Sequence, residues 1–345
     1  MKVSREYLIN EYKRVLRSGL IESETFCLYL HNPFCCNVCS YCMFHPTNLL
    51  CNVPLYREYY DRTLPAQLEE IEPLLQIRPL DKVYFGGGTA SVMKPSFIDQ
   101  LYEKIPDFRG IPQKETEINP NHVSPHFMKF LKENQFNHIS IGVQSFDQDT
   151  LDGVGRKLCT PEHLKRLVGK LRQSCPDAYI NIDLMAFLKD QSPAGAELLL
   201  DDLEILKSID PDGISVYPNY NVVLLDDDDT LYEYISSLRT VLNQFVCGSE
   251  YKGYPEQLTL DRETTISIAL ADYLLFKGES FGKGNLYNCT GFFSDSNESQ
   301  ITIPIGAHSK SLYGFIRDTK YQAANKEATE FEIIKKHNGG YWNGR

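Results

Sequence analysis

Positive charge is scarce in this 345-residue chain: 35 Lys and Arg stand against 46 Asp and Glu, a formal net charge of −11. That balance argues against a nucleic-acid partner or an anionic membrane surface, because too little basic side chain is left to neutralise phosphates. No apolar run reaches the roughly 18 residues that a bilayer-spanning helix needs. Internal repeats and low-complexity blocks are absent, and so are the GxGxxG and GxxxxGK[ST] spacings of dinucleotide and P-loop sites. The opening stretch, MKVSREYLINEYKRVLRSGL, is charged and reads as an amphipathic helix, not a signal peptide. A soluble, cytoplasmic protein is expected. At about 150 residues per domain the length suggests two domains, or one large α/β unit with an appendage.

Cysteine is what the chain has in unusual amount. There are ten, and Cys35, Cys36, Cys39 and Cys42 fall within eight residues. A secreted disulfide scaffold spreads its cysteines through a shorter chain, so clustered thiols here read as ligands of a metal or cluster. Cys35-x3-Cys39-x2-Cys42 supplies three thiolates on one loop, enough for three irons of a cubane whose fourth iron stays open to a small chelating ligand. A structural zinc ion wants four ligands, usually from two separated pairs, and no second CxxC or Cys-x-x-His pair exists. Cys36, His31 or His45 would have to complete a zinc site. Cys36 also creates a CxxCxxC register and is read as a bystander. Cys159, Cys175, Cys247 and Cys289 have no motif around them and are expected to be buried small hydrophobes, Cys289 with a secondary option of facing a substrate.

Short apolar strands alternate with helix-period segments. Strands are expected at 26–31, 82–85, 115–118, 138–143, 179–184 and 213–217, each read as a parallel strand covered on both faces. Helices are expected at 55–76, 95–105, 124–134, 160–173 and 194–208, with Ser124-Pro125 and Thr160-Pro161 as starts. Such βαβ repeats leave an open doubly wound sheet and a barrel equally compatible. After about residue 220 the pattern changes. Asp226–Asp229 is an acidic run, 231–245 and 264–276 have helical spacing, 278–300 is rich in Gly, Asn and Ser, and 301–305 is a short apolar run.

The string Tyr29-x-His31-x-Pro33-Phe34-Cys35-x3-Cys39-x-Tyr41-Cys42 resembles the radical S-adenosylmethionine superfamily. Within it, the chain is similar to the branch of oxygen-independent coproporphyrinogen III oxidase with its haem-chaperone and class C methyltransferase relatives. The resemblance implies a [4Fe–4S] cluster on Cys35, Cys39 and Cys42, with one or two molecules of S-adenosylmethionine. One electron, from an external donor such as flavodoxin or ferredoxin, would cleave the cofactor to methionine and a 5′-deoxyadenosyl radical. Tyr29 and Tyr41 are the candidate catalytic side chains, Tyr41 as a shield of the cluster from water.

Further motifs fit the same family. Gly86-Gly87-Gly88-Thr89 closes the second strand, where glycines permit close backbone approach and Thr89 can cap the next helix; it resembles the turn that holds the cofactor's amino group. Glu117, in Glu117-x-Asn119-Pro120, resembles the family's cofactor-contacting carboxylate. Gly142-Val143-Gln144-Ser145-Phe146 followed by Gly155-Arg156 resembles the pair in which Gln meets the nucleoside and Arg the carboxylate, a task suited to a bidentate guanidinium. Asp183 matches an acid at the ribose, and Ser215-Val216-Tyr217 a backbone contact to adenine. All lie at the C-terminal ends of expected parallel strands, where such folds put their sites.

The resemblance decides for a partial, six-stranded (β/α) barrel with a C-terminal α-rich accessory region. The expected divisions are an N-terminal helical segment at 1–25, the barrel at 26–220 and an accessory, substrate-binding region at 221–345. No Gly-Leu-Pro turn follows Asp183, so the adenosine end of the pocket is expected to be built differently. Three features depart from the haem-synthesis members: Leu158 where a His is frequent, Met43 where a fourth Cys is frequent, and only 37 residues after His308 in the Gly306-Ala307-His308-Ser309 turn. They point to a small organic substrate and to C-methylation or related radical chemistry in a specialised pathway. Oxidative decarboxylation of a porphyrinogen, a non-catalytic haem or iron–sulfur carrier, and a zinc-structured interaction module are the alternatives.

Overall fold

A computed structural model describes residues 25–42, 46–190, 192–219, 228–253, 258, 273–277 and 300–305. The expected N-terminal helix, Met43, His45, Cys289 and the turn around His308 lie outside these residues. One sheet carries the architecture, in the order β11-β1-β4-β5-β6-β7-β8-β10-β9. Its parallel centre is β1 (Thr25–Asn32), β4 (Lys82–Gly87), β5 (Gln113–Ile118), β6 (His138–Gln144), β7 (Tyr179–Ala186) and β8 (Gly213–Pro218). β11 (Gln300–Ile305) joins parallel beside β1, while β10 (Tyr273–Phe276) and β9 (Lys252–Gly253) add antiparallel beyond β8. A ribbon of two short strands, β2 (Phe34–Cys35) and β3 (Thr47–Asn48), stands apart.

The order of the six central strands follows the chain without reversing. A doubly wound sheet reverses at its switch point; here every right-handed crossover puts its helix on the same side. The fold is therefore a partial barrel, open between β11 and β9, with one face under helices and the other turned inward. Alternation along each strand sorts the residues. Phe26, Leu28, Leu30, Val83, Phe85, Ile139, Ile141, Ile180, Ile182, Ile214 and Val216 build the helix-side core. Lys82, Tyr84, Glu115, His138, Ser140, Asn181 and Ser215, equally buried, face inward. The expectation of strands apolar on both faces is thus corrected: the inner face is polar, because a curled sheet brings its alternate side chains together where several of them pair or hydrogen-bond with one another. At the N-terminal end of this interior Lys82 Nζ lies 2.9 Å from Glu115 Oε1, and His138 Nδ1 3.5 Å from Glu115 Oε2.

Helix starts obey local chemistry. In α4 (Pro125–Asn134) Ser124 Oγ accepts from Phe127 N at 3.1 Å, and in α6 (Pro161–Ser174) Thr160 Oγ1 accepts from His163 N at 3.3 Å. Both have Pro in the first turn, where the missing N–H costs nothing. The expected helix at 55–76 is three pieces: α1 (Val53–Glu58), a π-turn (Tyr59–Thr63) and α2 (Leu64–Leu75). Helical spacing at 264–276 is also corrected, since 273–276 are the strand β10 paired with β8; a short apolar run fits either period. Helix α8 (Asp228–Cys247) covers the expected helix at 231–245. Cys159 and Cys175 are buried as expected, but Cys247 is exposed, being the last residue of α8 beyond the buried Phe245. Among the described residues no helix is long and apolar enough to cross a membrane.

Candidate functional site

The cysteine loop is held at its stem. Phe34 is wholly buried and meets the rings of Tyr56 and Tyr59 edge-on, at 5.3 and 5.5 Å between centroids. The π-turn places Tyr59 OH to donate to His31 O and Tyr60 OH to donate to Asn32 Oδ1, each at 2.6 Å. Asn32 Nδ2 donates to Phe34 O at 2.7 Å and to Thr89 O at 2.6 Å, and Asn32 O accepts from Gly88 N at 2.6 Å. One buried asparagine thus ties the first cysteine to the glycine turn after β4.

On this stem Cys35 and Cys39 are buried and Cys42 is half-buried. Burial is the main cause that pushes the Cys35 thiol up to about 12; the neighbouring Cys42 and Cys39 also raise it, while the Thr89 hydroxyl and Arg156 work to lower it. The three sulfurs therefore feel one another. Cys36 instead neighbours Tyr56, whose hydroxyl it affects. Among the described residues no three His, Cys, Asp or Glu side chains converge on one point. A single zinc ion asks for that convergence, whereas a cubane takes each thiolate on a separate iron. A buried thiol that resists ionisation in the metal-free state is a normal ligand, because coordination supplies the charge that removes its proton.

Thr89 does not cap the following turn as expected. The 3-10 turn Ala90–Val92 has no side-chain cap, and Thr89 Oγ1 lies 3.1 Å from Cys35 Sγ. The glycines before it fit the loop: Gly87 has φ +104°, and a Cβ there would lie 2.5 Å from Asn32 O. A Cβ on Gly88 would meet Phe34 O at 2.7 Å and Cys35 Sγ at 3.0 Å. Close approach is thus required by the cysteine loop itself.

Arg156 closes the loop from the other side. Ser40 N donates to Val154 O at 3.0 Å, and Arg156 Nη1 lies 3.3 Å from Tyr41 OH and 3.8 Å from Cys39 Sγ while Nη2 donates to Gly142 O. Burial works to lower the guanidinium pKa, but Tyr41 and Cys39 outweigh it and leave Arg156 raised. Burial also holds the Tyr41 phenol far above its usual range. A Cβ on Gly142 would sit 2.9 Å from Gln144 Nε2 and 3.2 Å from Arg156 Nη2, so these two polar side chains share the end of β6. Gln144 is left-handed at φ +77°, beside an irregularity in the β6–β7 register.

Two carboxylates stand further round the rim. Glu117, at the end of β5, is pushed up to about 7 by burial and by Glu115, against the Tyr84 hydroxyl and the Gly87 backbone, which hydrogen-bond it. Asp183 Oδ1 accepts from Ser140 Oγ and from Asn181 Nδ2, both at 2.8 Å, and Asn181 Nδ2 also lies 2.9 Å from Ser215 Oγ. Tyr29 OH lies 3.1 Å from His31 Nδ1, and burial lowers His31 to about 3, leaving it neutral. The arrangement gathers three thiols, a guanidinium and two carboxylates on the C-terminal rim of parallel strands. Asn32, Tyr84 and Asn181 were not singled out from the sequence. Asn181 had a signal in its i, i+2 spacing to Asp183, which puts both on one strand face.

Residues 29–203 match the family described as the radical SAM superfamily. Over 220 residues the chain is 31% identical to the heme chaperone HemW of Haemophilus influenzae, covering 60% of this chain and 56% of that protein. Over 216 residues it is 28% identical to the oxygen-independent coproporphyrinogen III oxidase of Pseudomonas aeruginosa, covering 59% of this chain and 44% of that one. It spans about half the length of these curated relatives. The solved coproporphyrinogen III oxidase (HemN) of Escherichia coli shares the fold, with a TM-score of 0.59 at 17% identity over 84% of this chain and 66% of that one. The chain belongs to the radical S-adenosylmethionine superfamily, and a [4Fe–4S] cluster and S-adenosylmethionine are its cofactors.

Proposed function

We propose that this chain reductively cleaves S-adenosylmethionine and uses the resulting radical on a small organic substrate. The observation that carries the proposal is the three-thiol loop closed by Arg156 beside a rim that presents Glu117 and Asp183. When bound, the cluster supplies the electron that splits the sulfonium into methionine and a 5′-deoxyadenosyl radical. Cys35, Cys39 and Cys42 hold three irons. Arg156, already charged at the loop, offers its planar fork to the cofactor carboxylate. Glu117 takes the ammonium, Asp183 the ribose hydroxyls and Gln144 the nucleoside, with the Gly86-Gly87-Gly88-Thr89 turn along the amino-acid end. Tyr41 would keep water from the cluster, and Tyr29, stacked on Tyr84 beside Glu117, would line the cofactor pocket.

Anaerobic incubation with labelled S-adenosylmethionine and a strong reductant tests this. Wild type should release methionine and 5′-deoxyadenosine, and Cys39→Ala should release neither and lose the brown cluster absorbance. Turnover by Cys39→Ala would overturn the ligand assignment. The C-methylation expected from the sequence would leave S-adenosylhomocysteine as a product; the relatives support the radical step and not that finer assignment. Similarity to a heme chaperone favours a second reading, a haem carrier. A stoichiometric Soret band on haem titration, with no 5′-deoxyadenosine formed, would select it.

A further inference from the structure

Tyr84 has no part in the roles assigned so far, yet its hydroxyl donates to Glu117 Oε1 from the inward face of β4. Its ring stacks on Tyr29, at 5.5 Å between centroids and 22° between planes. The space for both rings comes from the next inward residue: a Cβ on Gly86 would lie 2.6 Å from Tyr84 Cε1 and 3.0 Å from Tyr29 OH. Tyr29 in turn reaches His31 Nδ1. One chain of contacts thus runs from the candidate ammonium-binding carboxylate, through Tyr84, to the candidate catalytic Tyr29 and the root of the cysteine loop.

We propose that Tyr84 is a positioning residue whose hydroxyl aims Glu117 at the cofactor ammonium while its ring braces Tyr29. This rests on the reading that Glu117 binds S-adenosylmethionine. The groups facing Glu117 are few. β4 brings Tyr84 and the Gly87 backbone, with Lys82 deeper, and its own strand brings Glu115. β6 brings Ser140 opposite, with His138 one layer below, and β1 lies beyond Tyr84 with Tyr29 and His31. Lys82 and His138 are engaged with Glu115. Among these groups it is the Tyr84 hydroxyl and the Gly87 backbone that favour the charged form of Glu117. A cation is bound best by the ionised acid, so cofactor affinity should climb as pH rises toward 7.

The test measures S-adenosylmethionine affinity by anaerobic equilibrium dialysis between pH 6 and 7.5 on full-length, cluster-loaded protein, with cluster content read by absorbance. Tyr84→Phe keeps the ring and its packing. It should bind about tenfold more weakly near pH 6.5 and shift the rising limb of the pH profile upward. In a double-mutant cycle, Tyr84→Phe should add nothing to Glu117→Gln. A Tyr84→Phe profile superimposed on wild type overturns the proposal, and so does an undiminished effect of Tyr84→Phe in the Glu117→Gln background. If Glu117→Gln binds as wild type does, the underlying reading of Glu117 fails first, and with it the proposal.

Discussion

Arg156 holds three acceptors at once, from Tyr41, Cys39 and Gly142. Charge-assisted hydrogen bonds contribute about 1.5–3 kcal/mol each, so Arg156→Ala should weaken S-adenosylmethionine binding by roughly ten- to a hundredfold. Cluster absorbance should survive, because no thiol is removed. Equilibrium dialysis at matched iron content checks this, and unaltered binding would remove Arg156 from the site. Gly87→Ala should do the opposite. Its φ of +104° and the 2.5 Å approach to Asn32 O oppose any side chain. Such strain costs of order 1–3 kcal/mol, and the variant should melt earlier and reconstitute poorly. Arg156 was legible in the sequence through the resemblance of Gly142-Val143-Gln144-Ser145-Phe146 followed by Gly155-Arg156 to the family's pattern. Asn32 was not, because between His31 and Pro33 it stands at a place the motif leaves unspecified. Only its burial and its bonds to Phe34, Thr89 and Gly88 show what it does.

At the scale of elements, the strands and helix caps follow from local rules. Ser124→Ala removes a bond to Phe127 N and should cost about 1 kcal/mol in denaturant unfolding, with cofactor affinity unchanged. A larger loss would mean that α4 is coupled to the rim. Local rules stop short where packing decides. The π-turn at Tyr59–Thr63 is invisible to a search for a 3.6-residue period, yet it turns two consecutive tyrosines onto the stem of the cysteine loop. Likewise 273–276 become a strand because the edge of β8 offers them hydrogen bonds, an attraction no periodicity carries.

Across the whole molecule, strand order separates the two architectures that alternating strands and helices leave open, and it was the cysteine motif, not periodicity, that pointed to the barrel. The polar interior follows from that order. Burial alone would raise the Glu115 carboxyl, but His138 and Lys82 overcome it and leave the pKa below the usual range. A depressed acid stabilises the fold above its ordinary pKa and loses that contribution as pH falls through the folded-state value. Lys82→Met strands a buried charge and should cost about 3–5 kcal/mol, with the acid-unfolding midpoint moving to higher pH. Circular dichroism across about pH 2–6, the range in which carboxylates titrate, reads both effects.

The central claim is that three cysteines and the rim around them split S-adenosylmethionine. Mass-spectrometric quantification of 5′-deoxyadenosine from reconstituted, dithionite-reduced protein tests it most directly. The account predicts that 5′-deoxyadenosine accumulates with wild type and is absent with Cys39→Ala. Intact S-adenosylmethionine recovered over a cluster that electron paramagnetic resonance finds reduced would contradict it.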